Sequence, residues 1–164
     1  MAASTLLLLR HGPALDPRPG QADDDRALKP SGVRLVEELG QGLARLGLTM
    51  DQGLTSPYRR ARETMEALAR GLGAPLPTTL APELVPGGNP AAAELLLRAW
   101  VVEHPPGSCT LAVSHLPLVE HLVLGLCGCP LTLPTAHGAL MVWDGHGIRL
   151  HARIQPHPPF LDVP

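Results

Sequence analysis

Leu9-Arg10-His11-Gly12 places a guanidinium, an imidazole and a glycine in consecutive positions at the end of an apolar run, Leu6 to Leu9. A short buried strand ending there would deliver both side chains together onto a turn. A neutral imidazole is a nucleophile, and a guanidinium fits the oxygens of a phosphoryl group. Two later segments supply partners of the same kind: Ser56-Pro57-Tyr58-Arg59-Arg60-Ala61-Arg62 and Ser114-His115. Arg60 is expected to face an anion drawn to a helix N-terminus, with Arg59 and Arg62 as ordinary surface residues. His11 or His115 alone reads equally well as a structural histidine; the pairing of His11 with Arg10 favours chemistry. His104, His121, His137, His146, His151 and His157 lack such a context, His137 being the nearest to an exception.

The chemistry follows from the charges. Two cations about 5 Å apart repel by about 3 kcal/mol at an effective dielectric near 20. A pocket holding Arg10, Arg60 and, if protonated, His115 would be strained when empty. A bound dianion would relieve it, each charge-assisted contact adding roughly 1.5–3 kcal/mol. Fixed cations also stabilise charge on phosphoryl oxygens during transfer. The same cations disfavour protonated His11 and keep it nucleophilic, with a backbone carbonyl near Gly12 as the expected acceptor for its other nitrogen. Gly12 would allow a sharp turn and an approach of phosphate to backbone amides.

Positioning these groups requires strands that alternate with helices. Strands are expected at 5–9, 52–55, 109–113, 139–144 and 148–154, with Asp144-Gly145 starting the last turn. The spacing of Val36, Leu39, Leu43 and Leu46 predicts an amphipathic helix, Ser31 its N-cap and Gly47 its stop. Residues 13–30 read as a Pro-, Gly- and Asp-rich surface loop. Ser56-Pro57 reads as an N-cap and first helical proline of a helix running to about Gly71. Asn89-Pro90 repeats the signal for a helix to about Glu103, and Pro117 opens one ending near Gly125. The pattern implies a single α/β domain, its central sheet mostly parallel and flanked by helices, with ligands at the carboxyl ends of the strands. The domain is expected to span 1–155, followed by a proline-rich irregular tail at 156–164.

The 164-residue length fits one core, which must rest on Leu, Val and Ala because only 2% of residues are aromatic. A net charge of −2, with no basic stripe, argues against nucleic acid and membrane surfaces as partners. Cys109, Cys127 and Cys129 are too few for a disulfide framework and suggest a reduced, cytoplasmic setting. Cys127-Gly-Cys129 lacks the further ligands a metal site needs, so neither metal nor cofactor is expected. The leucine run is too short for a signal peptide or a bilayer span.

Leu9-Arg10-His11-Gly12, Ser56-Pro57-Tyr58-Arg59-Arg60-Ala61-Arg62-Glu63-Thr64 and Ser114-His115-Leu116-Pro117-Leu118-Val119 together resemble the histidine phosphatase superfamily. That group includes the cofactor-dependent phosphoglycerate mutases. The short length, Ser114-His115-Leu116-Pro117 and Pro82-Glu83-Leu84-Val85-Pro86 are most similar to its short SixA-type phosphohistidine phosphatases, and the stretch from Arg26 to Gly32 resembles the family's segment before its first helix. The resemblance implies a phosphoglycerate mutase-like fold and His11 as the residue that becomes phosphorylated. It implies Arg10, Arg60 and His115 as ligands of the phosphoryl group, assisted by Arg26, and Glu83 as the general acid. Glu83 reads equally as a solvated loop carboxylate. Pro13 stands where many mutase-like members carry Glu, and no long insertion closes over a small substrate. The expected activity is therefore metal-independent hydrolysis of a phosphohistidine-bearing signalling protein, such as a histidine phosphotransfer domain. A small-molecule phosphomonoesterase and a non-catalytic phosphate-binding domain are the alternatives. The sequence leaves the oligomeric state open.

Overall fold

Four leucines in a row are all buried only where a strand has protein on both faces. In the computed structural model, which describes residues 2–164, β1 (Ser4–Arg10) is such a strand. Leu6 and Leu8 enter one apolar cluster, and Leu7 and Leu9 the other. The remaining strands are β2 (Gln52–Thr55), β3 (Thr78–Leu80), β4 (Cys109–Ser114), β5 (Gly138–Trp143), β6 (Ile148–Ile154) and β7 (Leu161–Asp162). They form one seven-stranded sheet in the order β3-β2-β4-β1-β5-β6-β7. β1 to β4 are mutually parallel, β5 opposes β1, and β6 turns back, so five of the seven strands share a direction.

Helices α1 (Pro30–Arg45) and α2 (Arg59–Leu72) supply Val36, Leu39, Leu43, Ala61, Met65 and Leu68 to the cluster on one face. Helices α3 (Pro90–Glu103) and α4 (Leu118–Cys127) supply Leu97, Val101, Val119, Leu122 and Val123 to the other. The chain leaves β1 toward α1 on one face and leaves β4 toward α4 on the opposite face. Because β1 and β4 are neighbours, these diverging connections make their carboxyl ends the place where open α/β sheets bind ligands. None of the helices among the described residues is long and apolar enough to cross a membrane.

Several boundaries depart from the sequence expectation for identifiable reasons. α1 begins at Pro30, with Lys29 at the N-cap making no side-chain cap bond, so Ser31 is not the cap. Leu46 lies beyond the last helical turn, 53% exposed, and leaves the apolar stripe. Gly47 (φ +80°) does end the helix in the left-handed region. Ser56 is not the N-cap of α2; Tyr58 holds that position. α4 continues past Gly125 to Cys127, where Gly128 (φ +72°) stops it. Asn89 caps α3 as expected, accepting from Ala91 and Ala92 N–H. β3 carried no signal because all its residues are exposed at an edge. The tail is not wholly irregular: Leu161 and Asp162 pair with Ile154 and Arg153, and Phe160 packs against Gly42 of α1.

α1 and α2 approach so closely that glycine is required at the crossing. A Cβ on Gly40 would lie 2.5 Å from the Leu68 carbonyl oxygen, and one on Gly71 would collide with the Glu37 carbonyl. Gly71→Ala is therefore expected to destabilise the protein by about 2 kcal/mol. Gly147→Ala, where a Cβ meets nothing within 4 Å, should change stability by less than about 0.5 kcal/mol. Urea unfolding of the two variants checks both.

Candidate active site

Parallel pairing sets the two imidazoles side by side. Arg10 is the register partner of Ser114, and the next amide, His11 N–H, donates to the Ser114 carbonyl at 3.0 Å. His11 and His115 therefore emerge together, their ring centroids 5.0 Å apart and tilted by 54°. Both are buried, at 7% and 2% exposure. His11 Nδ1 lies 2.7 Å from the Gly12 carbonyl oxygen. A neutral ring donates there from Nδ1 and leaves the Nε2 lone pair free. Gly12 serves packing: a Cβ would lie 2.8 Å from Val36 Cγ2. Its N–H donates to Thr64 Oγ1 at 3.0 Å.

Among the arginines of the first turn of α2, Arg60 alone turns inward, at 3% exposure. Arg59 is exposed and paired with Glu63 and Asp25, and Arg62 is exposed. Arg60 Nη1 donates to the Asp23 carbonyl at 2.7 Å and Nη2 to its carboxylate at 3.0 Å. Arg10 Nη1 donates to the Leu133 carbonyl at 3.1 Å, and Glu120 holds that segment by accepting from Leu133 N–H at 2.8 Å. The expected strain between bare cations is thus relieved by Asp23 beside Arg60 and by the field of Glu120 at Arg10. Arg26 lends a positive field to both histidines, but its hydrogen bonds go to Asp23 and the Leu15 carbonyl. Glu83 sits exposed on a short 3-10 turn, Pro82–Leu84, that Ser114 Oγ fastens through the Leu84 carbonyl at 2.8 Å. No hydrogen bond or ion pair joins the Glu83 carboxylate to the other candidates among the described residues. His137 contributes its carbonyl to Arg10 N–H while its ring turns to Thr135.

Sequence reasoning missed Ser56, Tyr58 and Asp23 as members of this constellation. Ser56 Oγ lies 2.8 Å from His115 Nε2. The Tyr58 ring packs edge-on against His115, centroids 5.3 Å apart, and under the Arg60 guanidinium at 5.0 Å. Asp23-Asp24-Asp25 was the one signal for Asp23, an acidic run in a loop that faces arginines. Cys127 and Cys129 lie elsewhere, with Cys127 Sγ–H donating to the Val123 carbonyl at 3.1 Å.

Burial decides the protonation states. Desolvation, reinforced by Arg60, Arg10 and Arg26, pulls the His11 pKa down to about 4 against the raising effect of its Gly12 bond. Desolvation, then His11 and the same arginines, pull His115 down to about 2. His115 is thus neutral, and the possibility of a third cation in the unliganded pocket is removed. Arg10 Nε, Arg60 Nε and His115 Nδ1 are buried without any hydrogen-bond partner among the described residues. Each unpaired buried donor costs roughly 1–3 kcal/mol, which an oxyanion accepting from it would recover. Two guanidiniums and two imidazoles with such free capacity can hold a tetrahedral oxyanion against a nucleophilic nitrogen.

Residues 6–85 match the family described as the histidine phosphatase superfamily (branch 1). Phosphohistidine phosphatase SixA of Escherichia coli (strain K12) is 32% identical over 123 residues, which cover 74% of this chain and 73% of that protein. Among solved structures, SixA complexed with tungstate superimposes with a TM-score of 0.84 at 26% identity, over 93% of this chain and 97% of that one. A phosphoglycerate mutase of Bacillus anthracis str. Sterne shares the fold, with a TM-score of 0.70 at 16% identity over 91% and 92% of the two chains.

The lowered His11 pKa has a measurable sign. A free imidazole protonates near ~6.5, so between that pH and about 4 the unfolded chain binds a proton that the folded one refuses. Stability is expected to fall as the pH drops through this window. In anion-free buffer, NMR of the His11 ring should show the neutral form until the pH nears 4.

Proposed function

The chain belongs to the histidine phosphatase superfamily, on its SixA-like phosphohistidine phosphatase branch, and we propose that it dephosphorylates phosphohistidine on a signalling protein through a covalent intermediate on His11. The observation that carries this reading is the set of buried nitrogens without a partner among the described residues, Arg10 Nε, Arg60 Nε and His115 Nδ1, together with a His11 ring held through Nδ1 and lying in the field of both arginines. In the first step His11 Nε2 attacks phosphorus, the substrate N–P bond breaks with its electron pair leaving on the substrate imidazole, and that imidazole takes up a proton from solvent water. In the second step water attacks the phosphorus held on His11. The N–P bond breaks, His11 recovers its lone pair, and inorganic phosphate leaves with the oxygen of that water. Arg10, Arg60 and His115 bind the phosphoryl oxygens and stabilise the charge they carry in both steps.

Substrate choice follows from the leaving group. Imidazole departs from phosphorus more readily than an alkoxide and needs less help from an acid. Glu83, the acid that the family resemblance suggests, is exposed and joined to no other candidate residue. That arrangement favours phosphohistidine over alkyl esters. A phosphorylated side chain presented by another protein also suits a site with no long insertion to close over a small molecule.

Rapid-quench labelling with a phosphohistidine-bearing phosphotransfer domain tests the proposal. An acid-labile phosphoryl group should appear on the native chain and be absent from His11→Ala, which should also lose turnover. Labelling or turnover that persists in that variant removes His11 from the chemistry. Binding without any label or turnover would leave only a phosphate-binding domain. In a substrate panel, phosphohistidine protein should outpace small alkyl phosphates, and the reverse would identify a phosphomonoesterase. Glu83→Gln should lower residual alkyl-ester hydrolysis by about a hundredfold if Glu83 is the acid. Phosphohistidine turnover should change by no more than a few-fold.

A further inference from the structure

We propose that Ser56 is a positioning residue that fixes the tautomer of His115, so that this imidazole offers an Nδ1–H to a phosphoryl oxygen. The inference deepens the reading above and rests on His115 being an oxyanion ligand. Ser56 and His115 are 0% and 2% exposed, and His115 Nε2 lies 2.8 Å from Ser56 Oγ. Ser56 Oγ also accepts from Tyr58 N–H at 3.3 Å. The serine is pinned on its backbone side, its N–H donating to the Val113 carbonyl at 3.1 Å and its carbonyl accepting from Thr55 Oγ1 at 3.1 Å. His115 Nδ1 has no partner among the described residues.

A hydroxyl has one proton to give and two lone pairs to receive with. If His115 carried its proton on Nε2, Ser56 would accept from both that N–H and Tyr58. Its own proton would then be buried with no acceptor among the described residues. The ring would meanwhile turn a bare Nδ1 lone pair toward an incoming oxyanion. If Ser56 instead donates to Nε2, the hydroxyl proton is satisfied and the ring proton sits on Nδ1. Only the second arrangement leaves a donor where an oxyanion needs one. The first arrangement leaves two buried groups unmet, the hydroxyl proton and the Nδ1 lone pair, and the second leaves only the Nδ1–H, so the network selects this tautomer.

The two imidazoles are thereby given opposite tasks by different neighbours. A carbonyl, Gly12 O, holds the proton of His11 on Nδ1 and bares its other nitrogen for attack. A hydroxyl, Ser56 Oγ, bares Nε2 of His115 to itself and leaves the N–H on the other side of the ring.

The test is a long-range proton–nitrogen correlation spectrum of the 15N-labelled full chain near neutral pH, without substrate. A His115 ring protonated at Nδ1 supports the proposal, and one protonated at Nε2 overturns it. This measurement needs no variant to fold. Ser56→Ala should shift the His115 tautomer toward Nε2–H and weaken tungstate binding about tenfold, the loss of one charge-assisted contact. Ser56→Thr, which keeps the hydroxyl, should restore both. Ser56→Ala with unchanged tautomer and affinity overturns the proposal. Tungstate affinity left intact by His115→Ala overturns the oxyanion role of His115, and with it the task assigned to Nδ1. Failure of the phosphoryl-labelling experiment alone would leave the tautomer arm readable.

Discussion

Arg10 and Ser114 face each other across two parallel strands, and the geometry of the site depends on that register. It places the residues that follow, His11 and His115, beside each other. Side chains alternate along a strand, so a slip of one residue would send one imidazole to the opposite face. The leucines anchor β1 between the two layers of helices, each of its faces buried in its own cluster. The apolar run before Arg10 is in this sense part of the chemistry.

Burial then sets the electrical character of the pocket. Two guanidiniums brought out of water need compensation, and each finds it within the protein: Arg60 from Asp23, Arg10 from the Leu133 carbonyl and the field of Glu120. The imidazoles, which can shed a proton, are held neutral. The outcome is a site in which Arg10 and Arg60 carry the positive charge while the imidazoles stay neutral. Hydrogen bonds fasten the guanidiniums, and Arg10 Nε and Arg60 Nε are left without partners among the described residues.

Much of this was legible in the sequence. The strand before Arg10 declared itself by an unbroken apolar run, and Arg60 by its place in the first turn after Ser56-Pro57. What stayed hidden depended on contacts between segments far apart in the chain. Ser56 reads locally as a helix cap, and only the folded sheet reveals that its hydroxyl meets His115. Asp23 looks like one acid of three in a loop until Arg60 is found beneath it. Gly12 looks like a phosphate-binding turn, yet Val36 and Thr64 account for it. β3 and β7 escaped because two or three residues at a sheet margin leave no periodic trace.

Those marginal strands matter in another respect. An open sheet presents unpaired N–H and C=O groups at both borders, and long flat borders invite strangers to add rungs. Here one border is β3, three residues following Pro77, and the other is β7, two residues within a proline-rich segment. β7 pairs with only Arg153 and Ile154, so residues 148–152 of β6 also lie at that border. The anchoring of Phe160 against α1 holds β7 beside the end of β6. A stretch of chain that looks like an afterthought thus shields the last rungs of β6 from added strands.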